Sequence, residues 1–206
     1  MERRAGVKIS SLKKILASAL VLLGIVLISF PYLEEAFSRY WQKRLLSEWN
    51  KNLKQIEVVP IETEDESLLS PGGEILGVLK INSINLSLPV LSGLNQANLK
   101  VGVSWLEDSA PVESDKGNTI LAGHRGRSYS RLLNRLGEVN TGDKVVVETK
   151  NGVFAFRVFN KKIVPPKDTS LLLPTKDKVL TIVTCHPAIK PTHRLIIQAE
   201  PEKEGG

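Results

Sequence analysis

Three residues of this chain, of three different types, could together carry an acyl group. Cys185 is the single cysteine in 206 residues, so an intramolecular disulfide is out, and the thiol is left to attack a carbonyl, bind a metal or fill a core. Taken alone it closes the apolar, β-branched run VLTIVT of residues 179–184, where a buried and inert thiol is the ordinary outcome. His124 and Arg194 change that balance. A thiol of pKa about 8.5 is only a few per cent thiolate at neutral pH, so a nearby imidazole or guanidinium must favour the anion or take its proton. Attack on an amide then builds an oxyanion, and a fixed donor beside it is worth roughly a hundred- to a thousandfold in rate. Arg194 suits that task because a guanidinium stays charged and presents a rigid fork of donors. The leaving amine needs a proton, which His124 can give.

The same residues allow a second chemistry. Cys185, His186, His193 and His124 are four ligands that zinc accepts. Adjacent residues of a strand point to opposite faces, however, so Cys185 and His186 in extended chain cannot readily bind one ion. No Cys-x-x-Cys or His-x-x-x-His spacing is present. No metal site is therefore expected, and His186 and His193 receive no catalytic role.

The elements that must position these residues are mostly strands. From residue 74 onward the apolar pattern alternates in short runs rich in Ile, Val, Leu, Phe and Thr: 75–81, 84–90, 118–122, 144–149, 153–159, 161–164, 179–184 and 195–199. Turn signals separate them, among them Asn140-Thr141-Gly142-Asp143 and the hairpin signal Lys150-Asn151-Gly152. Inside this region only residues 128–136 look helical. Many short strands with little helix imply a closed barrel or a sandwich. His124 falls where one predicted strand ends in glycine, in Gly123-His124-Arg125-Gly126, a place from which a side chain can project off a rigid scaffold.

The chain before the strands has another character. Residues 15–30 carry no charge, and extension to residue 33 reaches the length a membrane-spanning helix needs. Arg3, Arg4, Lys8, Lys13 and Lys14 precede the run, and no small-x-small cleavage site follows it. Residues 1–33 thus read as a basic cytoplasmic segment and an uncleaved signal anchor. The tight N-terminal cluster of positive charge favours the N-terminus inside, although Arg39, Lys43, Arg44, Lys51 and Lys54 on the far flank match it in number. Residues 34–73 read as an amphipathic helix, with Trp41, Leu45, Trp49 and Leu53 on one stripe, followed by a linker ending in Ser70-Pro71-Gly72-Gly73. Residues 74–201 form the catalytic domain and 202–206 a polar tail; the stretch from residue 200 onward is expected to fray. The net charge of +6 comes from Lys and Arg spread along the chain without aromatic interleaving, so nucleic acid is not an expected partner.

Taken in order, these motifs resemble the sortases, the membrane-anchored cysteine transpeptidases of Gram-positive bacteria. The resemblance rests on Thr181-Ile182-Val183-Thr184-Cys185, the Leu121-Ala122-Gly123-His124-Arg125 turn upstream and Arg194 shortly after, with Leu88-Pro89-Val90 and Thr141-Gly142-Asp143 in support. It implies a mainly β fold: a closed eight-stranded sortase-type barrel with short helices behind an N-terminal transmembrane helix. It further implies a single-pass protein of the cell membrane, with its catalytic domain outside, that cleaves an LPXTG-like sorting signal after the threonine. Cys185 would form the thioacyl enzyme, His124 would act as acid and base, Arg194 would stabilise the oxyanion or bind the signal, and Thr184 would be a secondary oxyanion contact. Partners would be secreted proteins bearing the signal, an amine of a peptidoglycan precursor or another acceptor, and membrane lipid. No cofactor is implied, with calcium activation left open. The single anchor and the Leu-Ala-Gly-His-Arg turn look like class D, whereas Thr192-His193-Arg194-Leu195 looks like the pilus-assembling class C. A tethered barrel that binds sorting signals without turning them over is the alternative from outside the enzymes.

Overall fold

The computed structural model describes residues 3–52, 73–125 and 132–202. They form two compact units, Met1–Tyr40 and Trp41–Gly206.

The first unit is helical, the greater part of the long helix α1 (Arg3–Asn52). Its most apolar 18-residue window has a mean hydropathy of 2.4 and is not buried at all. Leu20, Leu23, Val26, Leu27 and Phe30 stand exposed around the helix. An apolar surface all round a helix is stable only where something other than water covers it. The Ser29 hydroxyl is satisfied within the helix by the Ile25 carbonyl at 2.7 Å, the back-bond that hydroxyls make where no water is offered. The sequence suggests a break between an anchor ending at residue 33 and a separate amphipathic helix. The helix instead runs through Pro31 without interruption.

From Trp41 onward α1 belongs to the second unit. Trp41, Leu45 and Trp49, spaced by four, are all buried. Trp41 and Leu45 pack with Leu91 and Val101, and the Arg44 guanidinium lies 4.9 Å over the Trp41 ring. Of the two resting places open to this stripe, membrane surface or domain, the structure shows the domain.

The rest of the second unit is a closed barrel of eight strands: β1 (Ile75–Ile81), β2 (Leu86–Ser92), β3 (Val103–Trp105), β4 (Gly117–Gly123), β5 (Lys144–Thr149), β6 (Gly152–Val164), β7 (Lys178–His186) and β8 (His193–Pro201). Around the barrel the order is β1, β2, β3, β4, β7, β8, β6, β5. Closure removes free strand edges. Alternation sorts each strand: on β7, Leu180 and Ile182 enter the core with Leu121, Leu133 and Ile197, while Val183 and Cys185 are only partly covered. A short helix α2 (Gln96–Val101) joins β2 to β3.

Three local readings need correction. The two expected strands 153–159 and 161–164 are one strand, β6, whose register shifts between Val158 and Asn160; such a bulge breaks the alternation and makes one strand look like two. Residues 82–84 form a 3-10 turn rather than the start of a strand, because Asn85 adopts the left-handed conformation (φ 50°), which Asn tolerates better than most residues. The stretch expected to fray is tied down as far as Glu202. Pro201 pairs with Phe156, and the Glu202 amide donates to the Ala155 carbonyl at 2.9 Å. Hydrogen bonds from Lys144 and Arg157 hold the Glu202 carboxyl below its ordinary pKa. Of the expected helix at 128–136, Leu133–Glu138 is a 3-10 turn; residues 128–131, most of the expected linker and residues 203–206 lie outside the described residues.

Candidate active site

The candidate residues gather at one end of the barrel because of how β4, β7 and β8 adjoin. β7 and β8 are antiparallel, with Cys185 directly opposite Arg194 and His186 opposite His193. Directly opposed side chains share a face, and Arg194 Nη1 donates to Cys185 Sγ at 3.5 Å. The same nitrogen also donates to the His193 carbonyl at 3.3 Å, which limits its swing.

β4 runs parallel to β7, with Ala122 beside Val183. One residue further, the Thr184 hydroxyl donates to the Gly123 carbonyl at 2.8 Å and keeps the two chains together. β4 ends at Gly123, so His124 follows directly on the strand end that adjoins the end of β7 carrying Cys185. Glycine suits position 123: a Cβ would lie 2.6 Å from Leu133 Cδ1 and 3.0 Å from Val103 Cγ1, and any larger residue would push these core side chains aside.

The structure therefore brings Cys185, His124 and Arg194 to one end of three adjoining strands. Thr184 stands next to them but points the other way. It is buried in the barrel, and its hydroxyl is spent on Gly123, so its side chain braces β4 against β7.

Two further contacts meet the histidines at this end of the barrel. His124 Nε2 lies 3.2 Å from Gln96 Oε1 on α2, and Arg125 Nη1 lies 2.9 Å from His186 Nδ1. Arg125 is held in turn by donating from Nε to the Asn134 carbonyl at 3.2 Å. Neither contact is legible in sequence, since each joins segments far apart in the chain. The nearest clue is Asn95, a side chain suited to cap a helix, whose Oδ1 accepts from the Asn98 amide.

Burial is the first cause that holds the His124 pKa below its ordinary value, and the nearby charge of Lys100 on α2 adds to it. The His186 pKa is lowered as well, by desolvation first, then by Arg125 and His193. A guanidinium can only donate, so His186 Nδ1 accepts from Arg125 and must be unprotonated to do so. The sign of the pH effect follows. An unfolded histidine takes up a proton near pH 6.5, whereas folded His186 does so only at lower pH. Its contribution is complete above about pH 6.5 and declines as pH falls from there toward the folded-state pKa. Thermal melts from pH 7.5 to 5.5 are expected to show a smaller loss of Tm for His186→Gln than for the wild type; equal slopes would remove His186 as a source of the acid lability.

A cavity of about 320 Å³, lined by Leu76, Val90, Trp105, Val112, Leu121 and Val147, opens at the opposite end of the barrel and includes none of the three residues. Among the described residues, no three His, Cys, Asp or Glu side chains come close enough to hold a metal ion.

A closed barrel with a thiol, a guanidinium and an imidazole on adjoining strand ends is the equipment of a cysteine transpeptidase. The chain belongs to the sortase family, whose Sortase domain profile matches residues 79–202. Sortase A of Listeria monocytogenes is 26% identical over 207 residues, covering 93% of this chain and 92% of the relative. Sortase D of Bacillus subtilis is 32% identical over 116 residues, 56% of either chain, and supports the class D resemblance. Among solved structures, sortase C1 of Streptococcus suis superposes with a TM-score of 0.61 at 27% identity, over 65% of this chain and 76% of that one. The protein is thus a cell-wall transpeptidase in general terms, of a family that joins proteins bearing sorting signals to amine acceptors. Its N-terminal helix is long and apolar enough to cross a membrane.

Proposed function

We propose that this sortase is anchored by α1 with its N-terminus in the cytoplasm and its barrel outside, and that it cleaves an LPXTG-like signal after the threonine. The observation that carries the reading is the donation from Arg194 Nη1 to Cys185 Sγ at 3.5 Å, with His124 ending the adjoining strand. The pairing sets a fixed donor beside the sulfur that would attack, with His124 at hand to take its proton.

Cys185 gives its proton to His124 as its sulfur adds to the carbonyl carbon of the signal's threonine, and the carbonyl π pair moves onto oxygen. Arg194 donates to that oxyanion. As the oxyanion collapses, the C–N bond breaks and His124 passes the proton to the departing amine, leaving a thioester on Cys185. An amine of a peptidoglycan precursor, or of another acceptor, then attacks the thioester while His124 takes its proton. The new amide forms as sulfur leaves and takes the proton back from His124. Thr184 serves by fixing the spacing of β4 and β7. The scheme uses no cofactor.

The exposed apolar helix supports the anchored topology, and the cluster of basic residues before it supports the orientation. A panel of LPXTG-type peptides, offered to the full chain in lipid nanodiscs with and without a primary amine, tests the whole reading. Cleavage between threonine and the following residue, with an amide product when the amine is present, is the expected result. Peptide binding without cleavage of any member would overturn it in favour of a binding barrel.

A further inference from the structure

The geometry points to Gln96 as a positioning residue that fixes the tautomer of His124, with α2 as the platform that holds it in place; this inference rests on the reading of His124 as the acid and base. Gln96 Oε1 lies 3.2 Å from His124 Nε2. A carbonyl oxygen only accepts, so the contact requires the proton on Nε2. Nδ1 is then the nitrogen left with a free lone pair, and it becomes the one that takes and returns the proton during acyl transfer. Without Gln96 the neutral ring would divide its proton between two nitrogens, and only one arrangement would be competent.

The platform is rigid for reasons visible around it. The Asn98 amide donates to Asn95 Oδ1 at 2.9 Å, which caps the helix. Asn98 is fully buried, and its Nδ2 donates to the Ser92 carbonyl at 2.8 Å and to the Gly93 carbonyl at 2.9 Å, fastening α2 to the end of β2. At its far end Val101 packs with Trp41, Leu45 and Leu91. Gln96 itself is exposed, so no packing accounts for its presence. Among the described residues, Arg125 follows His124 in the chain, Cys185 and Arg194 stand on the adjoining strand ends, and burial first and Lys100 on α2 second lower the His124 pKa, which keeps the neutral ring, and hence its tautomer, relevant near neutral pH.

The test is nitrogen NMR of the full chain in nanodiscs with ¹⁵N-labelled histidine, the His124 signals being assigned with His124→Gln. In the wild type at neutral pH, the Nε2–H tautomer should dominate at His124. Gln96→Ala should move it toward a mixture, and Gln96→Glu, which keeps an acceptor and adds a charge, should retain Nε2–H and raise the His124 pKa. Where turnover is measured, kcat should fall about tenfold in Gln96→Ala, a fraction of what a general acid and base supplies, with KM unchanged and most activity restored in Gln96→Glu. An unchanged His124 tautomer and pKa in both variants would overturn the proposal. Because the spectra need no substrate, absence of peptide cleavage would count against the transpeptidase reading alone.

Discussion

Cys185→Ser in the full chain is expected to abolish transfer, with at least a thousandfold loss of kcat/KM for any signal peptide the wild type cleaves, while the melting temperature stays within a degree or two. The loss follows from the nucleophile. A thiol can lose its proton to a neighbouring imidazole as it attacks, but a serine hydroxyl is far too weak an acid for the same groups to activate as well. The fold is spared because Cys185 is partly exposed and, among the described residues, Sγ accepts only the Arg194 hydrogen bond, and substitutions at such positions usually change stability by about half a kcal/mol or less. Cys185→Ala should lose the same activity and still bind peptide. Stopped turnover together with a collapsed melting curve would instead mark Cys185 as a core thiol.

Arg194→Ala carries the second largest effect, an expected loss of about a hundred- to a thousandfold in kcat with a smaller change in KM. The side chain is asked to donate to the oxyanion as it forms. That depends on its place opposite Cys185 in the β7–β8 register, which a substitution leaves intact because backbone pairing sets it. Arg194→Lys keeps the charge but loses the planar fork, so it should recover part of the loss and remain about tenfold below the wild type. Steady-state kinetics with one cleaved peptide would measure both. A rise in KM alone would reassign Arg194 to signal binding, and equal activity of the alanine variant would remove it from the site.

What could be read from residues alone follows the range over which the physics acts. Cys185 and Arg194 are nine residues apart on two adjoining strands, and His124 follows a strand that ends at a glycine, so period-two alternation and turn chemistry are enough to set all three at strand ends. The long apolar helix is legible because an uncharged run of that length is read directly from composition. The contacts of Gln96 with His124 and of Arg125 with His186 are not legible, since each joins segments whose relative place only barrel closure determines. β3 was missed because three residues show no period, and β6 was split because its bulge interrupts the alternation. Thr184 is expected as a secondary oxyanion contact, but the pleat turns its hydroxyl inward to the Gly123 carbonyl, where it braces β4 against β7.

The central claim is that an acyl group passes through Cys185. Intact-mass and peptide-level mass spectrometry of the full chain, reacted with a mixed library of LPXTG-like peptides in the absence of an amine acceptor, tests it most directly. The account predicts an adduct on Cys185 alone, equal in mass to a peptide cut after its threonine, that disappears when a primary amine is added. Cleaved peptide accumulating without an adduct on Cys185, or an adduct carried by another residue, would contradict it.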